Sequence, residues 1–349
     1  MPVCTSCTGH SSLSMSKPSM SRTISPAISP AMSSAMSSIK TLCRHTFCSL
    51  TFCSLFLFGL MSESAQAADA FQVNDNAGKY TDIITPDGKP ILRYMYERDT
   101  SDAAKTFDTA KVFAHVFAND GTTTLTKGAG GKFPHHRGIF IGWNKLKQGG
   151  KSHDLWHVRN TVQKHREFKE TEAADKGAKL TALIDWIGVD GKPVLEEQRT
   201  YQVRSQDDAY SVIDFTSTLT AIQGDVELNG DPEHAGVQFR PSQQVAENQS
   251  AAYTFHKEGI DPKKDLDLPW VAESFQVGDA WWSVQHMNHP SNPDGARWSA
   301  YRDYGRFGPF TVAKIADGES VTFRYRFRVT QGKSQDREHL QASFDQYSQ

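Results

Sequence analysis

Cysteine is missing from most of this chain. All five cysteines, Cys4, Cys7, Cys43, Cys48 and Cys53, lie within the first 53 residues. Beyond them no disulfide framework, thiolate nucleophile or cysteine-ligated zinc or iron–sulfur centre can be built. Long apolar runs are missing too. The most apolar stretch, residues 47–61, is interrupted by Ser49, Thr51 and Ser54. It falls short of the ~20 residues a spanning helix needs. There is no basic block, no internal repeat and no Pro/Gly/Ser-rich linker between two halves.

What precedes residue 68 reads as a leader. Residues 1 to 35 are dominated by Ser, Met and Pro without periodicity, a disordered composition. From Met36 onward, Lys40 and Arg44 form a positive n-region, residues 47–61 an apolar h-region, and Ala65-Gln66-Ala67 a small-residue cleavage site. Cleavage before Ala68 and a periplasmic or secreted location are expected, with 68–349 as one domain. Four of the 38 basic residues and one of the 40 acidic residues precede Ala68, leaving 34 against 39, a net charge of −5. Such a balance disfavours nucleic acid as a partner. No membrane span is expected after cleavage.

The remaining chain alternates with a period of two. Val321, Phe323, Tyr325, Phe327 and Val329 interleave with Thr322, Arg324, Arg326, Arg328 and Thr330, which predicts a strand with one apolar face. Similar runs occur at Ile83–Thr85, Ile91–Tyr96, Leu180–Ile187, Leu195–Val203 and Tyr210–Ala221, with turn signals at Asp87-Gly88, Asp190-Gly191 and Asp317-Gly318. Helical patterning is confined to Ala103–Ala110 and the C-terminal tail. An all-β fold follows, a large antiparallel sandwich or barrel.

Chemistry concentrates in a few motifs: Pro134-His135-His136-Arg137-Gly138, then Trp156-His157, then Glu233-His234-Ala235-Gly236-Val237-Gln238-Phe239-Arg240-Pro241. A closing block holds His289-Pro290-Ser291-Asn292-Pro293, Trp298, Arg302-Asp303-Tyr304-Gly305 and Gly308-Pro309-Phe310. Together they resemble the bacterial family labelled "methane oxygenase PmoA-like". That resemblance implies a β-supersandwich like that of galactose-mutarotase-like, carbohydrate-active proteins. Methane oxidation does not carry over, since a particulate methane oxygenase subunit is a multi-helix membrane protein and no span follows the leader.

Histidine titrates near neutrality, so His136, His157 and His234 are the candidate acid–base groups. If His135 and His136 lie on a strand, they point to opposite faces and at most one enters a given pocket. His153 and His157, four apart, share a face of a helix or a strand, and with His136 or His234 form an alternative metal set. Arg137, Arg240 and Arg302 offer planar forks for an anion or hydroxyl. His135, His289, Asn292 and Tyr304 add polar contacts, and Trp156 and Trp298 offer faces for stacking on a sugar. The expected ligand is a carbohydrate or sugar acid, and the expected chemistry is His-centred epimerase, mutarotase or lyase action. The alternatives are a non-catalytic glycan-binding protein and a His-ligated metal enzyme. No cofactor can be named from the residues.

Overall fold

The alternating segment at 321–330 folds as the strand Ser320–Gln331, with Phe323, Tyr325, Phe327 and Val329 all buried. It lies at the centre of an eight-stranded antiparallel sheet. In spatial order the strands are Ala252–Phe255, Trp270–Val277, Ala280–Asn288, Ser320–Gln331, Ala209–Ala221, Pro193–Gln206, Gly177–Ile187 and Val162–Ala174. This computed structural model describes residues 70–349 apart from Pro232; the expected leader lies outside the described residues.

A second, six-stranded sheet faces the first. Its order is Gln72–Asn76, Tyr80–Ile84, Pro90–Met95, Phe113–Val116, Ile139–Trp143 and Ala235–Phe239. Side chains of the two sheets meet in pairs: Phe239 with Phe275 and Phe327 (ring centroids 6.1 Å apart in each case), Trp143 with Phe323 (5.6 Å) and Tyr94 with Tyr201 (6.1 Å). The fold is therefore all-β, a large antiparallel sandwich of two facing sheets. Smaller sheets of four and two strands extend it. The helices are short: Ala103–Asp108 and Arg337–Tyr347 fall in the two expected helical segments, and Gln243–Asn248 is an additional one. No helix among the described residues is long and apolar enough to cross a membrane.

One polar network is buried between the sheets. Arg199 and Glu197, both fully buried, pair at 2.8 Å, while Trp186 Nε1 and Ser217 Oγ donate to the same carboxylate at 2.7 Å each. Arg199 Nη1 also donates to the Val112 carbonyl at 3.1 Å. This contact ties the eight-stranded sheet to the segment entering Phe113–Val116, next to the lysine that organises the site.

Candidate active site

That lysine is Lys111. Its ammonium, almost wholly buried, donates to the carbonyls of His135 (3.1 Å) and Trp156 (2.6 Å). It thereby clamps two turns together, the one carrying His135 and His136 and the one carrying His157. Burial pulls its pKa well below the usual lysine range, with the Arg137 charge adding to the effect.

His135 and His136 lie in a turn and not on a strand, with His136 N bonded to the Phe133 carbonyl at 3.0 Å. The opposite-faces expectation therefore fails, and both histidines line one cavity of about 430 Å3. Gly138 closes the turn. Its φ is +51°, and a Cβ there would sit 2.0 Å from the Ala114 carbonyl oxygen, so only glycine fits. His136 is sandwiched between Phe140 and Tyr304, with centroids 6.0 and 6.1 Å away and rings near parallel. Burial holds its pKa well below the ordinary histidine value, and the nearby Arg306 charge acts in the same direction. Burial also lowers His135, to about 2, aided by Lys111 and His157.

His157 and His234 complete the row. Ring centroids of His135 and His157 are 4.5 Å apart, and those of His157 and His234 are 4.9 Å apart. Each of the last two is oriented by an aspartate three residues earlier. His157 Nδ1 lies 2.9 Å from Asp154 Oδ2, and His234 Nδ1 lies 2.7 Å from Asp231 Oδ1. Asp231 is itself fixed by Asn144 Nδ2 at 3.0 Å. An ionised carboxylate only accepts, so Nδ1 carries a proton in each ring and Nε2 is the atom turned to the cavity chemistry. Among the described residues neither Nε2 has a hydrogen-bond partner.

The cationic side of the cavity comes from the closing motif. Arg302 pairs with Glu233, which also accepts from Tyr301 Oη at 3.2 Å. The Arg302 hydrogen bond holds the Glu233 carboxyl below its ordinary pKa, against the opposing effect of burial. Arg159 lies 3.8 Å from Asp154. Arg306 differs from both. It is 1% exposed, its Nη1 donates to Gln238 Oε1 (2.8 Å) and Ser299 Oγ (3.3 Å), and no carboxylate among the described residues lies within salt-bridge distance. Its guanidinium stands 5.3 Å from the Trp156 ring centroid. The bend that delivers Arg306 depends on Gly305, at φ +79°, where a Cβ would meet Glu273 Oε1 at 2.3 Å.

Of the residues expected from sequence, His135, His136, His157, His234, Arg302 and Tyr304 meet at this cavity. Six do not reach it. Trp156 is fully buried behind the lining, packed on Phe140 at 4.9 Å, and offers no free face for a sugar. Arg137 turns away to donate to the carbonyls of Pro134, Asp108 and Phe107 at 2.8–3.0 Å. Arg240 is buried under Tyr304, 5.0 Å from its ring centroid, and donates to the carbonyls of Pro241 and Tyr304. Trp298 is wholly buried beside His286. Asn292 stitches its loop to the Arg324 backbone at 2.7 Å through both amide atoms. His289 bonds Ser291 and packs against Tyr347 at 5.1 Å. Loop stiffness and residue type were the signals for these positions, and neither reports which way a side chain turns.

His153 also departs from expectation. It is fully buried and accepts from Val189 N at 3.1 Å, away from His157. Among the described residues no group of three His, Asp or Glu side chains is disposed to hold a metal ion. The sequence reading missed Arg306, Arg159, Phe107 and both orienting aspartates. A usable signal existed for the aspartates, because Asp154-Leu155-Trp156-His157 and Asp231-Pro232-Glu233-His234 repeat the spacing Asp-x-x-His.

A family profile matches residues 83–345. The chain belongs to DUF6807, a family of unknown function. No curated protein matches this DUF6807 member in sequence. In structure it is similar to a mutant of the heparan sulfate lyase HepC from Pedobacter heparinus, with a TM-score of 0.43 and 8% identity, covering 76% of this chain and 37% of that one. It is also similar to the GalM/aldose epimerase homologue from C. elegans (TM-score 0.34, 7% identity, covering 75% of this chain and 99% of that one). A third similar structure is the heparinase III-BT4657 gene product (TM-score 0.29, 10% identity, 77% and 36% covered). The DUF6807 chain spans little more than a third of the length of the first and third of these proteins.

Proposed function

We propose that this cavity binds a carboxylate-bearing sugar and that His157 and His234 move a proton at the carbon next to that carboxylate. The observation that carries the reading is the pairing of two aspartate-oriented histidines with the buried, acid-free Arg306. A buried guanidinium without an acidic partner is costly unless an anion completes it. Arg306 would receive the substrate carboxylate, and its charge would stabilise the negative charge that develops as the adjacent C–H proton leaves.

One Nε2 takes that proton, and the neighbouring histidine, as imidazolium, supplies one. Delivery to the carbon from the other face gives an epimer. Delivery to a departing β-oxygen, with a carbon–carbon double bond forming as the C–O bond breaks, gives elimination. His136, sandwiched and held neutral, serves as a wall. We further propose that the protein is exported, on the charge and hydropathy pattern of residues 36–67; an unprocessed Met1 or Met36 terminus on the cell-envelope fraction would contradict this.

Calorimetric titration with matched pairs of neutral and uronic sugars tests the binding half of the proposal. Uronic sugars should bind and neutral ones should bind at least about tenfold more weakly, equivalent to roughly 1.4 kcal/mol. Equal affinity for both would remove Arg306 from its role.

A further inference from the structure

A second cavity, of about 650 Å3, opens beside the first. The two share Phe107, His157 and Arg159 in their linings. Each volume alone lies in the range of roughly 300–1,000 Å3 typical of small-ligand sites. We propose that the site takes a chain of acidic sugars, with one unit at His157 and His234 and the neighbouring acidic unit in this second cavity. The inference rests on the sugar-acid reading above.

Three features of the second cavity support it. Arg98 there, partly exposed where Arg306 is buried, likewise lacks an acidic partner. Its Nη1 donates to the Thr106 carbonyl (2.7 Å) and Thr109 Oγ1 (3.2 Å), while Nε and Nη2 have no partner among the described residues and no carboxylate lies within salt-bridge distance. Each cavity thus holds one arginine that no protein acid neutralises, as two successive carboxylates would require. The cavity is also wide because its walls are small: Ala103 and Thr106 from one helix, Gly188 and Gly191 from the facing turn. Finally, the partition between the cavities is built under strain. Val158 and Asn160 both have φ of +54°, a conformation that is costly for a β-branched residue. Thr161 Oγ1 secures it by donating to the Asp154 carbonyl at 2.7 Å. The result sets Arg159, between the two, at the junction.

Phe107 stands on the same junction, and Arg137 gains a role there. It holds the carbonyls of Phe107 and Asp108 and places its guanidinium 5.2 Å from the Phe107 ring centroid. Arg137 is a positioning residue for the aromatic surface between two sugar units.

The test uses the full chain and size series, monomer to trimer, of α-linked galacturonate, β-linked mannuronate and β-linked glucuronate, with binding measured by calorimetry. At least one series should tighten by about tenfold or more from monomer to trimer. Ala103→Trp, which fills only the second cavity from an exposed helix position, and Arg98→Gln should each cut that gain to under about threefold. Both should leave monomer affinity and the melting temperature unchanged. A monomer that binds with no gain in any series overturns this inference alone, as does a gain that survives both substitutions. If monomers and oligomers alike fail to bind, the sugar-acid reading falls and this inference falls with it.

Discussion

The imidazoles of His157 and His234 lie 4.9 Å apart, each held through Nδ1 by an aspartate three residues before it in the chain. The turns that carry them follow different strands, Lys151–His153 and Val226–Asn229, so the likeness of the two Asp–His pairs is an arrangement made by the fold. In the reading proposed above, these two imidazoles, each anchored through Nδ1, are the proton-transfer unit. Arg306, buried in the lining of the same cavity, has only neutral partners.

Removing one member of the unit should stop chemistry without unfolding the protein. His157→Ala should lower turnover by roughly 10²–10⁴-fold, the usual contribution of a positioned acid or base. The melting temperature should change little, because the side chain is partly exposed. Asp154→Asn should slow turnover too, since the amide can stabilise the wrong tautomer, while still accepting from His157 N (2.8 Å in the native turn). Steady-state kinetics alongside thermal melts check both variants. A large loss of stability in His157→Ala would mark it as a packing residue.

Substitutions at Arg306 and Glu233 should move affinity in opposite directions. Arg306→Lys keeps the charge but loses the planar fork. It should weaken a uronic ligand by about 1.5–3 kcal/mol, the range for hydrogen bonds to charged groups. Glu233→Gln releases Arg302 from its ion pair and should tighten the same ligand. Titration calorimetry on both variants reads the two signs, and weakening by Glu233→Gln would mean that the carboxylate itself holds the sugar.

The strands were legible because burial on one face imposes a period of two, which the run from Val321 to Thr330 keeps without a break. Much of the cavity's histidine content was legible for a different reason: His135, His136, His157 and His234 sit among turn residues where a structural core has no use for them. Trp298 misled because an aromatic residue in a polar motif fits a core as well as a stacking face. Arg306 was passed over two residues beyond Tyr304, since only the three-dimensional path shows that Gly305 turns it inward. Phe107 and Arg159 come from a short helix and a strained turn, and loop-to-loop proximity leaves no trace in sequence spacing.

Stability should fall in mild acid. Burial depresses His135 to about 2 and His115 to about 4, and holds His136 and His286 well below the ordinary value. Between those values and about 6.5 the unfolded chain binds protons that the folded one refuses, so stability rises with pH across that window. The stabilising contribution is complete above about pH 6.5 and is lost as pH falls through the folded values. Denaturant midpoints measured from pH 8 to pH 5 should therefore decrease, and His136→Phe should flatten the slope. A pH-independent midpoint would contradict the neutral burial of these rings.

The ion pair between the sheets should be sensitive to losing one member. Glu197→Ala leaves Arg199 buried without its carboxylate and should cost about 3–5 kcal/mol, read by urea denaturation. A cost below about 1 kcal/mol, the level of an exposed pair, would mean that water reaches the site.

Proton transfer itself is observable by NMR. The full chain is incubated with uronic oligosaccharides in deuterated buffer, and the proton on the carbon next to the carboxylate is followed. The account predicts that this resonance is lost through exchange, is inverted into an epimer, or gives way to a vinyl signal, and that His157→Ala abolishes the change while the ligand still binds. A bound sugar acid whose proton persists unchanged, in the native protein and in the variant alike, would contradict the account and leave a binding protein in its place.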